Sequence, residues 1–549
     1  MKYLKYSLLL GIVGSMLLAC SEDVLVENPP HFIAPDNLYV DLAGFENGLN
    51  GLYAQFRRER GGESFAGAND LLIDPAVSGV DNCYGNNNNG WNTVGNDFSR
   101  NTPDESHNRN FFEWIYQTIN AANTIIERAE NPELDWTEEE KNGVLAEARF
   151  FRAWSYRHAT YMWGDVPLNL NESSGANIVT DWVRTPIEEV RLQMEEDLLF
   201  AEEYMREPAN DGRLVKEVAS HYLAELYLAM GEPSKAKEKA LAVMAGPFSL
   251  ITSRYGVKSN EPGTPFTDMF LDGNSNRSEG NTEALWVMQH ELDVNGGGDN
   301  IMRRWHRNQS HSVRVSGTSG AILFTVENGG RGLGRIGPTR YALELYGAND
   351  DRGGKFAWRS YEVLNNPDVI PVGTNPQTGQ AWALGDTTFF DWQGKDEVTD
   401  NPYWPSTRKW DYANPLDLAG SRNYNDQIYL RLAETKLLLA EAQFLLNDPN
   451  GAATTINELR NRANATPITA GDVSLDFILD ERSRELYSEE HRRYTLVRMG
   501  KWLDRTVQYN LVGGPTVKEK DRLFPIPQTV IDANLNLPME QNPGYSGSE

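Results

Sequence analysis

Two segments of this 549-residue sequence share one pattern, and this repeat constrains the fold more than any other feature. They are residues 224–240 and 440–456, related by a constant offset of 216 residues (440 − 224). In each, alanines and larger apolar residues at helical spacing lead to Gly231 or Asn447, and a proline follows two residues later. Glycine and asparagine readily take the left-handed conformation just past a helix end, and proline suits the start of the next helix. The repeat therefore predicts two helix–turn–helix pairs of the tetratricopeptide kind.

Further helices are predicted where apolar residues recur at spacings of three and four. These segments are residues 41–58, 110–129, 137–162, 186–205 and 475–489. The helix over residues 137–162 has apolar or small residues on more than one face, so we expect it to be buried on more than one side.

Residues 246–425 differ from the rest, because they are rich in glycine, proline, asparagine and tryptophan, with short strand-like pieces at 284–288 and 322–326. So long an irregular stretch inside a compact domain is usually functional. We predict a mainly α-helical fold. In it, a tetratricopeptide-like helix-pair scaffold, about residues 36–245 and 426–549, carries a large loop-rich insertion with short strands, about residues 246–425.

The N-terminus has the layout of an export signal, with Lys2 and Lys5, an apolar run over residues 8–18, and a small residue before Cys20. Leu17-Leu18-Ala19-Cys20 resembles a lipobox, at which bacterial lipoproteins are cut and acylated. The alternative is an ordinary secretory signal that ends near Cys20. Acyl chains anchor a protein to a membrane without spanning it. We predict a signal peptide over residues 1–19, a lipidated N-terminus and tether over 20–35, and a single domain over 36–549.

The formal net charge of −27 argues against nucleic acid as a partner, because such a surface repels polyanions. If Cys20 is acylated, Cys83 is the one cysteine left, and it has no partner for an internal disulfide. Stability must then come from the hydrophobic core, for which a chain of this length is ample.

Catalytic and cofactor motifs are weak. Residues 332–337 match G-x-G-x-x-G, but Pro338 and Thr339 start a helix after the third glycine, and no surrounding βαβ pattern supports a dinucleotide fold. The eight histidines form no HExxH pair, a lone Cys83 makes no zinc cluster, and G-x-S-x-G is missing. We predict no cofactor, no metal and no catalytic residue, although 78 acidic residues leave a two-carboxylate glycosidase open.

Several motifs together resemble the SusD/RagB family, the surface glycan-binding lipoproteins of Bacteroidota. They are Ala146-Glu147-Ala148-Arg149-Phe150-Phe151-Arg152-Ala153-Trp154, residues 163–168, Arg431-Leu432-Ala433-Glu434, residues 457–463, residues 481–486, Pro525-Ile526-Pro527 and Gln541-Asn542-Pro543-Gly544-Tyr545. The resemblance covers essentially the whole mature chain. Most of these residues are expected to be structural, with ion pairs between helices that fix their packing.

The resemblance implies a single SusD-like domain and a SusC-type TonB-dependent outer-membrane transporter as partner. It also implies an outer-membrane location, lipid-anchored and facing the cell exterior. The implied function is non-catalytic capture of a glycan. Two alternatives stay open: a peptide ligand, as in the RagB branch, and, less favoured, a glycan-degrading enzyme.

A glycan site needs flat apolar platforms with hydrogen-bonding side chains around them. Seven of the fourteen tryptophans lie between residues 286 and 410. We expect these to be core residues: Trp114, Trp154, Trp163, Trp286, Trp410 and Trp502. The ligand-binding candidates are Trp91, Trp305, Trp358 and Trp382, with Asn92, Asn300 and Asn308 beside them and Trp392 and Trp404 in second rank. The family's site usually draws one aromatic from an early loop and others from the insertion, which favours Trp91 and Trp305.

Basic residues cluster around Trp305 in this acidic chain: Arg303, Arg304, His306, Arg307, His311 and Arg314. If they face the ligand, they can pair with uronate or sulfate groups, because guanidinium binds such anions through two hydrogen bonds. The alternative is that they neutralise nearby acids or contact the transporter. A neutral glycan remains the favoured ligand.

Overall fold

The computed structural model describes residues 35–61, 71–86, 93–208, 210–397 and 399–545. In these ranges the chain is mainly helical with small sheets, as predicted. The predicted signal peptide, Cys20, Trp91 and Asn92 lie outside the described residues. Within the described ranges, no helix combines the length and the apolar character that crossing a membrane requires.

The described helices before residue 246 include the long scaffold helices. They are α1 (Pro35–Leu38), α2 (Leu42–Arg57), α3 (Asp74–Val77), α4 (Ser106–Arg128), α5 (Glu138–Trp163), α6 (Ile187–Tyr204), α7 (Lys216–Ala229) and α8 (Pro233–Met244). Short helices occur in residues 246–425: α9 (Pro265–Asp268), α10 (Met302–His306) and α11 (Arg340–Glu344). The C-terminal helices are α12 (Leu432–Leu445), α13 (Pro449–Arg462), α14 (Leu475–Leu486), α15 (Arg492–Arg498), α16 (Trp502–Tyr509) and α17 (Gln528–Ala533). All the predicted helices are confirmed.

The two predicted helix pairs are α7–α8 and α12–α13. The turn residues Gly231 and Asn447 have φ angles of 76° and 59°, so both are left-handed. Pro233 and Pro449 are the first residues of the second helices. Helices α8 and α12 pack against each other, which stacks the two pairs. The sequence repeat is therefore a structural repeat.

Helix α5 is the centre of the N-terminal half. It begins with a capping box, in which the Glu140 amide donates to Thr137 Oγ1 at 3.2 Å and the Thr137 amide donates to Glu140 Oε2 at 2.7 Å. Nearly all of its residues from Gly143 to Trp163 are buried, and it packs between α4 and α6. This confirms that the helix is buried on more than one side.

The strands form antiparallel pairs: β1 (Cys83–Gly85) with β3 (Ile336–Pro338), β2 (Ala284–Met288) with β8 (Gln427–Arg431), β4 (Trp358–Arg359) with β7 (Ser406–Thr407), and β5 (Tyr361–Val363) with β6 (Thr387–Phe389). The predicted strand at 284–288 is confirmed. The one at 322–326 is wrong, because asparagine side chains bind its backbone in place of a neighbouring strand. The Leu323 amide donates to Asn365 Oδ1 at 2.6 Å, and Asn328 Nδ2 donates to the Leu323 carbonyl at 2.7 Å.

A fully buried ion network centred on Glu485 of α14 joins residues 246–425 to the helices. Its carboxylate accepts from Arg352 at 2.9 Å, from Arg431 at 2.5 Å and from Arg462. Arg431 and Arg462 also bind Glu283, next to β2, at 2.8 and 2.9 Å. Burial alone would raise the pKa of Glu485, but the three arginines outweigh it and hold the pKa well below its usual range.

We predict that Glu485→Gln lowers the free energy of unfolding by about 3–5 kcal/mol, because it leaves buried arginines without their shared counter-charge. The measurement is urea unfolding followed by circular dichroism. The control is Glu458→Gln, whose carboxylate is about half exposed beside Lys436 and should cost under about 1 kcal/mol. Equal, small effects in both variants would contradict the central role of this network.

Candidate ligand-binding cleft

The first-choice tryptophan of the described residues, Trp305, lies in the main hydrophobic core with 0% of its surface exposed. The Arg335 guanidinium lies over its ring, 5.6 Å from the centroid. The neighbouring Asn308 is also buried: its Nδ2 donates to the Trp404 carbonyl at 2.9 Å, and its Oδ1 accepts from Arg307 at 2.7 Å. The prediction that Trp305 and Asn308 contact ligand is therefore corrected, since their contacts are internal.

Three further tryptophan candidates, Trp358, Trp382 and Trp404, are also buried. The Trp358 ring packs 4.9 Å from the Tyr487 ring. Trp382 donates its indole N–H to Ser316 Oγ at 3.0 Å, and Trp404 donates its own to the Pro338 carbonyl at 2.9 Å. A buried indole N–H needs such an acceptor, so these tryptophans brace the loops from inside.

Asn300 is fully buried, and its backbone pairs with that of Asn423, with N–O distances of 2.9 Å in both directions. It therefore holds two chain segments together, and its prediction as a ligand contact is corrected as well. All the tryptophans between residues 286 and 410 are described, and among them only Trp392 is half-exposed. The tryptophans predicted to be core residues are confirmed: Trp114, Trp154, Trp163, Trp286, Trp410 and Trp502.

Trp91 and Asn92 remain predictions as ligand contacts. Asn86, the last described residue before them, has a defined place. The Asn86 amide donates to the Arg335 carbonyl at 2.7 Å, and its Nδ2 donates to the Gly334 carbonyl at 2.8 Å. Since Arg335 lies over Trp305, Asn86 lies beside the segment that contains Trp305.

An open cleft of about 570 Å³ lies within residues 246–425. Half-exposed rings of Phe270, Phe356 and Tyr412 line it, and Val326 and Glu327 form part of one wall. These rings were not among the predicted ligand contacts, because phenylalanine and tyrosine in irregular segments carry no local signal of exposure. Such a combination of concave shape and exposed aromatic rings is typical of a ligand site.

Polar groups of two kinds surround these rings. Lys258, Glu261 and Asp272 line the cleft, are exposed, and have side chains without a hydrogen-bond partner among the residues described. Asp411 is instead fixed, because Arg359 and Arg408 both donate to its carboxylate, Arg408 at 3.0 Å. Burial raises the pKa of Asp411, yet these arginines outweigh it and lower the pKa. The ion pairs of Asp411 thus fix the floor of the cleft, whereas the side chains of Lys258, Glu261 and Asp272 are free to bind a ligand.

The exposed aromatic surface continues beyond the cleft. In the β5–β6 pair Tyr361 lies opposite Phe389, with ring centroids 5.9 Å apart, and Phe389 is 53% exposed. Arg408, which lines the cleft, donates to the Tyr361 hydroxyl at 3.2 Å. A ligand longer than the cleft can therefore meet a second aromatic pair.

One group among the described residues has the spacing of a metal site: ligand atoms of Glu59, His158 and His491 lie within 4.8 Å of one another. His491 Nδ1 faces an Arg157 guanidinium nitrogen at 3.1 Å, and arginine can only donate, so this nitrogen accepts. Nε2 then carries the proton and donates to Glu59 at 2.6 Å. Burial, and next Arg157, lower the pKa of His491 well below its usual range. The group is better explained as a buried hydrogen-bond network around a neutral imidazole than as a metal site.

Comparison with known families gives two matches along the chain. The family described as "SusD family" matches residues 391–545, and the one described as "Starch-binding associating with outer membrane" matches residues 63–228. The chain belongs to the SusD family. This confirms the resemblance noted in the sequence.

Individual SusD relatives match over the whole chain or a part of it. SusD-like protein P2 of Formosa agariphila is 24% identical over 98% of this chain and 100% of its own length. Starch-binding protein SusD of Bacteroides thetaiotaomicron is 40% identical over 21% of each chain. A solved laminarin-binding SusD-like protein has a TM-score of 0.67 at 19% identity, covering 91% of this chain and 99% of that one. The predicted SusD-like fold is confirmed.

We predict that Trp305→Ala lowers the free energy of unfolding by about 3–5 kcal/mol, because it opens a cavity in the main core. Chemical denaturation with a near-ultraviolet signal measures this. Trp392→Ala is the matched control and should cost clearly less, since its ring is half-exposed. An unchanged unfolding midpoint in Trp305→Ala would mean that the ring is not part of the core.

Proposed function

We propose that this SusD-family chain captures oligosaccharide or polysaccharide at the cell surface and delivers it to a SusC-type TonB-dependent transporter, without transforming it. The observation that carries the proposal is the open cleft with the half-exposed rings of Phe270, Phe356 and Tyr412. The names of two relatives, one starch-binding and one laminarin-binding, support a glycan as ligand.

The chemistry of the cleft suits a sugar. The C–H faces of a sugar ring pack on aromatic rings, and its hydroxyl groups need both donors and acceptors nearby. Lys258 supplies a donor, whereas Glu261 and Asp272 supply acceptors. Beyond Arg408, Tyr361 and Phe389 offer further stacking surface, which favours a chain of several sugars over a single one.

Two of the cleft carboxylates are engaged by arginine, which does not suit them to hydrolysis. Glycosidases need one carboxylic acid kept protonated and a second carboxylate placed to act on the same bond. Two of the cleft carboxylates are instead held in ion pairs, Asp268 with Arg254 at 2.6 Å and Asp411 with Arg408 at 3.0 Å. The arginines beside Asp411 lower its pKa, which makes this carboxylate a poor general acid.

We predict that Phe356→Ala and Tyr412→Ala each weaken glycan binding about 5- to 10-fold, since loss of one stacked ring removes about 1 kcal/mol or more. Affinity electrophoresis through gels that contain single polysaccharides measures this. Tyr204→Ala, at a tyrosine that is 37% exposed on α6, is the matched control and should bind like the wild type.

Three outcomes of this experiment would count against the proposal. Retardation by no glycan would reject glycan capture, and binding of peptide mixtures in its place would favour the peptide receptor. Release of reducing ends in proportion to protein concentration would favour the enzyme. Unchanged glycan binding in both cleft variants would move the site elsewhere.

The lipid anchor belongs to the same proposal, because a receptor must stay beside its transporter. We predict that Cys20→Ser abolishes incorporation of a labelled fatty acid and moves the protein out of the membrane fraction. Cys83→Ser is the control, because Cys83 is buried in the fold and should not affect acylation. Continued labelling of Cys20→Ser would show that Cys20 is not the acylated residue.

A further inference from the structure

Positive charge is concentrated at one place in this acidic chain, which has a net charge of −27. Arg303 and Arg304 lie in α10, and the loop of residues 331–333 packs against them. Arg303 donates to the carbonyl of Arg331, and the Leu333 amide donates to the Arg304 carbonyl at 2.8 Å. The Arg331 guanidinium also lies close enough to Arg303 to lower its pKa, so it joins the basic residues of α10.

Part of this charge is neutralised within the fold. Arg307 forms a buried ion pair with Glu362 at 2.5 Å. Arg307 therefore neutralises a nearby acid, which was the alternative to ligand contact for these basic residues.

Arg303 is different, because it is 1% exposed and no carboxylate of the described residues lies within ion-pair distance of it. It donates to neutral oxygens, at 2.7 Å to the Gly420 carbonyl and at 3.4 Å to Asn423 Oδ1. Burial, then Arg304 and Arg307, lower the pKa of Arg303 to about 10. Asp417 opposes this shift from beyond ion-pair distance, so the charge of Arg303 is only partly compensated.

The excess charge reaches the surface at Arg331 and His311. Arg331 is half-buried, and its guanidinium has no hydrogen-bond or ion-pair partner among the described residues. Burial lowers the pKa of His311, and Arg331 and Arg307 lower it further, so the electrostatic potential there is positive. The Phe324 ring stands edge-on to the His311 ring, with centroids 5.9 Å apart, and gives this surface an aromatic side.

Unsatisfied polar atoms mark the same place. Arg303 Nε, Ser310 Oγ and His311 Nδ1 are all buried, and within the described ranges none of them has a hydrogen-bond partner. Buried polar atoms of folded proteins are nearly always hydrogen-bonded, so these three atoms have hydrogen-bonding capacity left for a bound group or for water.

This basic surface adjoins the cleft through one loop. Val326 and Glu327 line the cleft, whereas Phe324 and Arg331, at either end of the same loop, belong to the basic surface. Arg307 holds the loop in place, since its Nε donates to the Asn328 carbonyl at 3.0 Å. A ligand chain in the cleft can therefore extend to Arg331.

We propose that this basic surface binds anionic groups of the captured glycan, carboxylate or sulfate, with Arg331 as the principal contact. The inference rests on the proposed glycan-binding function and makes its ligand an acidic glycan, in place of the neutral one favoured from the sequence. Guanidinium binds both kinds of anion through paired hydrogen bonds, whereas a neutral sugar leaves the charge of Arg331 uncompensated.

The test is affinity electrophoresis of the full chain in detergent against three polysaccharides at constant ionic strength. One is neutral, one is its sulfated derivative, and one is a polyuronate of similar length. We expect stronger retardation by at least one anionic polysaccharide than by the neutral one, and which of the two binds identifies the anion. Arg331→Gln should weaken anionic binding about 10-fold, as loss of one charge-assisted contact predicts, and should leave neutral binding unchanged.

Arg109→Gln, on α4, is the control for the loss of one partly exposed positive charge and should have little effect. Equal or stronger binding of the neutral polysaccharide, with no effect of Arg331→Gln, would overturn the inference but leave glycan capture standing. Retardation by no polysaccharide would overturn both. Binding of polyglutamate that Arg331→Gln abolishes, without binding of acidic glycans, would assign the surface to an acidic protein segment and also overturn it.

Discussion

The structure depends on charge buried around Glu485. Arginines from an irregular segment, from the end of β8 and from α13 meet on this one carboxylate, with almost no exposure to water. The last two also bind Glu283. A buried charge is tolerated only when its partners are in place, so the network penalises any arrangement in which these segments separate. Lys409 extends the network, since its ammonium donates to the carbonyls of Glu485 and Tyr487 at 2.9 and 3.1 Å. The long irregular segment is therefore attached to the helices at defined points.

This attachment explains how so long an irregular segment can be ordered without a large sheet. Its backbone groups are satisfied by turns, by side chains such as Asn365, and by small two-stranded pairs. Tryptophans supply much of its apolar filling, and their N–H groups meet oxygens inside, as at Trp382 and Trp404. Consequently the largest aromatic residues are used for packing, and phenylalanine and tyrosine provide the exposed rings.

The cleft and the basic surface follow from the same organisation. Loops that are held firmly from within can present free side chains on their outer sides, which gives a binding surface with little entropy to lose on capture. Arg359 illustrates the link, because it binds Asp411 at the base of the cleft and also donates to the carbonyl of Glu327 in the wall at 3.3 Å. The proposed ligand contacts and the structural ion pairs thus lie one layer apart.

The sequence by itself determined the helical scaffold, the two repeated helix pairs, the concentration of basic residues around α10 and the family. These are local or additive signals: a left-handed Gly231 or Asn447 followed by proline ends one helix and starts the next whatever lies around it. Only the tertiary structure decided which aromatic rings are exposed. Trp404 and Tyr412 both lie in irregular segments, yet one is buried and the other lines a cleft. Outside regular helices and strands, burial is set by contacts between residues far apart in the chain, and no local periodicity records them.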